Sequence, residues 1–425
     1  MATIRAFRGL RFSKDAGQLS QLVAPPYDVI SPEGREVLAG QSPNNIVHAT
    51  LPESREDDRS KFVKYARSSA QLAEWRRNGT LQLEDKPSLY RYTQTFHLPG
   101  NSAPITRTQL MVLLKVEPYE NGVVLPHEQT FPKHKEDRLR ILEATRSHLE
   151  CIYGLFEDDG RSIHDLIANA PVSESNEIET EDGVVNRLEV IDDPEVLESI
   201  ISALGDRKVW IADGHHRYET AVTFREQQGE KDGLIPEDFM MMALSSMSDP
   251  GLVILPTHRI VDKMPVSEGE LDNVMQRMFN VRRVSNGVLR QQLEDANRPD
   301  TRAFGIALPS GMGLICNLDR PQAVLQWTEG PESERWKLLD VTILHKVIFE
   351  RLLGLSGLEF FRYTRDADEA IESVRSGSDA AFLMNPPSVE DMRVIALGKE
   401  KMPQKSTYYY PKLLSGLVVW SLSDF

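Results

Sequence analysis

The chain has 425 residues, 49 Lys+Arg against 64 Asp+Glu and a formal net charge of −15, with 40% hydrophobic and 27% charged residues. That length suffices for two or three domains with their own cores and the composition is ordinary for a globular protein, while the acidic balance argues against nucleic acid or an anionic membrane as partner. Cys151 and Cys316 are too few for a disulfide framework or a four-thiolate zinc site and no apolar run approaches membrane length, so the expectation is a soluble cytoplasmic protein with two buried cysteines.

IRAFRGLRF at the start alternates like a strand, and Pro25-Pro26 then fix an extended turn. Ser31 with Pro32 reads as a helix N-cap followed by proline at the first position. Residues 58–77 carry Phe62, Tyr65, Ser69, Leu72 and Trp75 at helical spacing, and Asn78-Gly79 stops them. SLYRYTQTF and ITRTQLMVLLKV read as strands joined through HLPGNSAP. The polar stretch LPHEQTFPKHKEDRLR leads into a helix with Leu139, Leu142, Thr145 and Leu149 on one side. CIYGLF is a strand, and EIETEDGVVNRLEVI a hairpin turning at Glu181-Asp182-Gly183. Asp193-Pro194 opens a helix to about Leu204, and KVWIADGHHRYETA reads as strand, glycine turn and helix start.

FMMMALSSM and LVILPTHRIV are two further strands around the turn SDPG. Beyond Pro265 come a helix in SEGELDNVMQRMF, a hairpin in RAFGIALPSGMGLICNL and a long helix over WKLLDVTILHKVIFERLLG. DEAIESVRSG is a helix, DAAFLMN a strand, and KMPQKSTYYYPKLLSGLVVWSL closes the chain. No internal repeat is present. Helices among many hairpin-like strands predict a mixed α+β protein with a core over 1–264 and a second domain over 265–425.

The turn DGHHR concentrates the polar chemistry. The first amides of a helix lack intrahelical acceptors and favour anions, Gly214 leaves the backbone accessible, and Arg217 carries a planar fork suited to phosphate oxygens. His215 and His216 are donors, and Asp213 is placed to hold Mg²⁺ or orient a histidine. The plain alternative is a helix cap, Asp213 satisfying amides while the histidines face water. In PHEQTFPKHKEDR, Glu128 lies near Lys133, His134 and Lys135, which suits a general base, a metal ligand or a solvated loop. PPYDVIS offers Asp28 on a proline-stiffened turn. His258 and Arg259 in LPTHRIV read equally as an edge-strand pair facing water. Lys405, Ser406 and Thr407 resemble a phosphate-contacting triplet, although without a preceding G-x-x-x-x-G they are no P-loop. The histidine spacings match no zinc motif, which favours phosphate-bound Mg²⁺ over zinc.

GHHRYETA resembles the GERRYRAA-type box of ParB-like proteins and the GGCHRYAA-type box of sulfiredoxins, in which this strand–turn–helix cradles nucleotide phosphates. Gly214, His216, Arg217 and Tyr218 match by position. His215 stands where sulfiredoxins have their cysteine, so their thiol chemistry is not implied. The archaeal free serine kinases, which phosphorylate L-serine with ADP, are built on the same fold. Across nearly the whole chain, PPYDVIS, HEQT, PKHKEDR, DGHHRYETA, LPTHRIV and PQKSTYYYPKL resemble, in this order, the bacterial and archaeal domain-of-unknown-function family 1015.

The resemblance implies a ParB/sulfiredoxin-like mixed-sheet core with a C-terminal α/β accessory domain. It also implies a nucleotide-dependent phosphotransferase for a small hydroxyl substrate, first of all a kinase of free L-serine using ADP or ATP, or CTP, with Mg²⁺. Asp213, Gly214, His215, His216 and Arg217, with Ser406 and Thr407, then hold the nucleotide, and Asp213 helps place the metal. His216 donates to a phosphate oxygen, Lys405 neutralises the moving phosphoryl group, and either Glu128 or Asp28 accepts the serine proton. The rival expectations are a ParB-like nucleotide switch without kinase activity and a metal-dependent hydrolase. The sequence sets no oligomeric state.

Overall fold

The computed structural model describes residues 2–98, 103–130, 132–298, 301–357 and 359–425, apart from the side chains of 132–134. The chain divides into two compact units, one comprising Met1–Pro126, Thr130–Val253 and Pro411–Phe425, the other His127–Gln129 and Ile254–Tyr410.

The first unit is built on a nine-stranded mixed sheet. Its strands in chain order are β1 (Ile4–Arg5), β2 (Leu89–Phe96), β3 (Ile105–Lys115), β4 (Val124–Leu125), β5 (Ile152–Phe156), β6 (Glu174–Glu179), β7 (Val185–Ile191), β8 (Val209–Asp213) and β9 (Phe239–Ser246). They lie in the order β4-β8-β5-β9-β3-β2-β7-β6, with β1 paired to β3. The β4/β8 and β5/β9 pairs are parallel and the rest antiparallel, and β8 lies one strand in from the edge, between β4 and β5. Leu110, Val112, Ile152, Ile211, Met240 and Met242 are buried on it beneath the helices Pro194–Gly205 and His215–Glu226. A second cluster, with Trp75, Leu72, Ile46 and Val419, is fed by the helix Val63–Arg77 and by the returning C-terminal segment.

The second unit carries a six-stranded sheet, antiparallel at every pairing described. Its strands are β10 (His258–Val261), β11 (Asn280–Ser285), β12 (Arg302–Ala307), β13 (Met312–Leu318), β14 (Phe361–Thr364) and β15 (Ala380–Leu383), in the order β11-β13-β12-β15-β10-β14. The helices Asn286–Ala296 and Ala367–Arg375 bury Leu289, Leu293, Ile371 and Val374 against Ile260 and Ile315. Both units mix helices with sheets, so the α+β expectation holds.

Several expected elements differ, among them the helix expected to carry Leu149, which ends at Thr145 and is followed by the short strand Ser147–His148. The N-terminal strand is two short ones, Ile4–Arg5 and Leu10–Phe12, because the chain changes partner, pairing first with β3 and then with Leu81–Leu83, and between them the Gly9 amide donates to the Tyr90 hydroxyl. LVILPTHRIV breaks at Pro256-Thr257 into Val253–Leu255 and β10. The long helix over 336–354 is interrupted where Leu339 is extended, and there the Leu338 carbonyl accepts from the Arg302 Nε. It resumes as an α-helical turn over Asp340–Thr342 and continues as a π-helix over Ile343–Leu352 that buries Ile343, Leu344, Val347 and Ile348. Among the described residues no helix is long and apolar enough to cross a membrane.

Candidate functional site

The corner where β8 meets the helix His215–Glu226 gathers the charged groups of the first unit. Apolar Val209 to Ala212 hold the strand inside the sheet, and Gly214 turns it at φ +92°, a left-handed value open to glycine. Gly214 is needed for a second reason. A Cβ there would meet the Arg217 guanidinium, 2.9 Å from Nη2 and 3.1 Å from Nε. The arginine therefore folds back over the glycine and fills the space beside its Cα.

Arg217 is held by its Nη1, which donates to the Cys151 carbonyl at 2.6 Å, while its Nε is buried without a hydrogen-bond partner. Glu150, Asp213 and Asp28 surround the guanidinium and keep it protonated against the penalty of burial. Asp213 is not a helix cap: its Oδ1 accepts from the Gly214 amide at 2.9 Å and its Oδ2 from Lys412 Nζ at 2.8 Å. Burial opposes the ionisation of Asp213, but Lys412, Arg217 and His215 outweigh it and hold the carboxyl well below the usual carboxylate range.

Lys412 reaches this corner because its backbone is fixed. The Gln94 Nε2 donates to the Lys412 carbonyl at 2.9 Å, and the buried Arg107 guanidinium donates to the Pro411 carbonyl. Glu150, also buried, accepts on Oε1 from the Tyr27 amide and the Ser415 hydroxyl, each at 3.1 Å. The Arg138 guanidinium sits 3.9 Å from the Tyr27 ring centroid and 3.8 Å from Glu150 Oε2. These contacts fix the turn Tyr27–Val29, on which Asp28 stands after Pro25-Pro26. Asp28 keeps an exposed face, yet crowding by protein atoms and then the Asp213 charge push its carboxyl up, against the pull of Arg217 and Lys412.

Within the helix, His215 is buried and His216 half-buried. Tyr218 is structural: its hydroxyl donates to the Glu117 carbonyl at 2.8 Å and its ring stacks on Tyr119. Glu219 accepts from Thr130 and Lys135.

Glu128, Lys405, Ser406 and Thr407 come together in the second unit. Glu128 bridges Met402, and its Oε1 accepts from the Lys405 amide at 3.2 Å. Lys405 adopts φ +56° with its side chain exposed. The Ser406 hydroxyl is turned to the Pro403 carbonyl, and the Thr407 hydroxyl meets His127 Nε2 at 2.8 Å. His258 and Arg259 are buried between β14 and β15, not facing water, and His258 Nδ1 accepts from the Met384 amide. The side chains of Lys133 and His134 lie outside the described residues.

Sequence reasoning missed Lys412, Glu150 and Arg138. Lys412 lies in PQKSTYYYPKL, the stretch that also holds Lys405, and nothing in the spacing distinguishes the two lysines. Both Asp213 oxygens already accept a hydrogen bond, from the Gly214 amide and from Lys412. Among the described residues no group of three or more His, Cys, Asp and Glu side chains is arranged to hold a metal.

A mixed-sheet α+β unit with an arginine and three carboxylates packed around a strand–turn–helix corner is the class that these features define. The chain belongs to the family described as "Protein of unknown function (DUF1015)", whose model matches residues 4–342. No curated protein matches it. Among solved structures it is similar to a variant of free serine kinase in complex with ADP, at 12% identity and a TM-score of 0.36 over 77% of this chain and 99% of that one. It is also similar to a conserved hypothetical protein from Pyrococcus furiosus, at 12% identity and a TM-score of 0.33 over 74% and 97%. A third likeness is to SbnI with C-terminal truncation from Staphylococcus aureus, at 11% identity and a TM-score of 0.35 over 74% and 88%. At these scores the likenesses set no residue correspondence.

Proposed function

We propose that the protein is a nucleotide-dependent phosphotransferase acting on a small hydroxyl compound, with free L-serine the first acceptor to try. The observation that carries this reading is Arg217. Its guanidinium is locked beside Gly214 at a helix start, with a buried Nε that has no protein acceptor. A donor in that state, next to the positive end of a helix, suits an oxyanion.

Phosphoryl transfer asks a protein mainly for positioning and charge neutralisation. In this reading Arg217 and the first helical turn, residues 215–217, hold nucleotide phosphates, with His216 as a further donor. The Gly214 amide has no such part, because Asp213 occupies it. Lys412, shared with Asp213, neutralises the transferring group. Asp28 accepts the hydroxyl proton of the acceptor. Its raised carboxyl pKa and its place among Arg217, Asp213 and Lys412 favour it over Glu128, whose carboxylate is engaged by the Lys405 amide. Mg²⁺ enters only as the ion that accompanies the nucleotide.

The test is to incubate the pure protein with ADP, ATP or CTP, Mg²⁺ and L-serine, and to look for phosphoserine by mass spectrometry. Asp28→Asn is expected to slow turnover by roughly 10²–10⁴-fold with nucleotide affinity kept. Lys405→Ala is expected to keep most of the rate, and Lys412→Ala to lose it. Arg217→Ala is expected to weaken nucleotide binding by about 1–3 kcal/mol, and unchanged affinity in a folded variant would overturn the cradle. Nucleotide binding without serine-dependent turnover would instead favour the nucleotide-switch reading.

A further inference from the structure

The second unit contains a cleft of about 630 Å³ lined by four arginines, Arg259, Arg298, Arg302 and Arg335. In a chain with a net charge of −15 such a concentration of positive charge needs a reason. Two of the four are neutralised. Arg302 pairs with Asp340 at 3.0 Å and Arg335 with Asp391 at 2.8 Å. Asp391 is further committed to the Ser388 amide and hydroxyl that open the next helix.

The other two are not. Arg259 is 1% exposed, and every acceptor it has is neutral: His345 Nε2 at 3.3 Å, the Lys405 carbonyl at 3.2 Å and the Thr257 carbonyl. Among the described residues no carboxylate pairs with Arg259 or with the exposed Arg298. A guanidinium has five N–H donors, so these three acceptors leave Arg259 capacity to spare. Burying a cation without a counter-charge is costly, and burial accordingly lowers the Arg259 pKa to about 10. Asn385, on the same wall and 6% exposed, has a buried Nδ2 with no partner.

We propose that this cleft binds a small oxyanion, a phosphate or carboxylate group clamped between Arg259 and Arg298 with Asn385 as a neutral donor. A planar fork and an amide matched to an oxyanion satisfy the buried positive charge and the orphaned donor together. The proposal stands apart from the nucleotide reading, since all its residues belong to the second unit.

The experiment is calorimetric titration of the full-length protein with inorganic phosphate and with succinate, on wild type, Arg217→Ala, Arg298→Glu and Arg259→Lys. A saturable site is expected to persist in Arg217→Ala and to weaken at least tenfold in Arg298→Glu. Because Arg298 is exposed, its variant is expected to melt like wild type without anion, which keeps the test meaningful should Arg259→Lys fail to fold. Response to phosphate alone assigns a tetrahedral oxyanion, and response to succinate alone a carboxylate. No saturable binding of either anion in Arg217→Ala, or binding indifferent to Arg298→Glu, overturns the proposal without touching the first unit's cradle.

Discussion

Asp213 and Lys412 are 199 positions apart yet form a contact at 2.8 Å, with side chains only 22% and 15% exposed. A pair so enclosed is unforgiving to the loss of one partner, because the charge left behind has lost both water and counter-ion. Lys412→Met is expected to destabilise the first unit by about 2–3 kcal/mol, below the figure for fully buried pairs since some solvent reaches both groups. Adding Asp213→Asn is expected to restore part of the loss, which urea unfolding of the single and double variants would measure. The sign with pH follows from the depressed Asp213 carboxyl. Its contribution is complete above the ordinary carboxylate pKa and is lost as pH falls through the lower folded value. If Lys412→Met were as stable as wild type at neutral pH, the lysine would be a solvated neighbour and not the partner described. Asp28 is the counterpart: burial, and then the Asp213 charge, push its carboxyl up against the pull of Arg217 and Lys412, so two neighbouring carboxylates differ in acidity, the pattern that separates a fixed charge from a proton acceptor.

The strand–turn–helix at 209–226 depends on Gly214 twice, through its left-handed φ and through the guanidinium lying over it. Gly183, at φ +76°, has nothing within 4 Å of the Cβ position, so alanine there carries the backbone strain alone. Gly183→Ala is expected to cost about 1–2 kcal/mol. Gly214→Ala should cost more, and should also weaken nucleotide binding as Arg217→Ala does, because the guanidinium must move. Equal thermal destabilisation by the two alanines, with binding untouched, would mean that the arginine's position is incidental. This corner was legible in the chain because strand, glycine and helix periods change within a dozen residues. The π-helix over Ile343–Leu352 was not, since its apolar spacing also fits an α-helix. The strand Asn280–Ser285 escaped too: among NVRRVS only Val281 and Val284 are apolar, no alternation marks it, and its pairing with Met312–Leu318 is what makes it a strand.

The return of Pro411–Phe425 to the first unit decides which residues share its site, and no local pattern announces it. Periodicity located Asp28, Asp213 and Arg217 on their turns but is blind to contacts hundreds of positions apart, so Lys412 went unread. The same return buries Trp420 against His148, ring centroids 5.4 Å apart and nearly parallel. His148 in the first unit and His258 in the second are both buried, and burial lowers each from 6.5 to about 4. Unfolded histidines take up a proton between those values while the folded ones do not, so the unfolded chain binds more protons and stability rises with pH across that window. Going down in pH, the loss begins near 6.5 and levels off below about 4, worth about 3 kcal/mol for each histidine. Each unit thus contains an acid-sensitive group of its own. His148→Phe keeps an aromatic ring on Trp420 while removing the titrating nitrogen, so it is expected to flatten the acid limb of the first unit's stability and leave that of the second. Urea unfolding followed by tryptophan fluorescence from pH 7.5 to 4.5 reads the difference, and a wild-type stability that stays level across this range would mean that these histidines are charged in the folded chain.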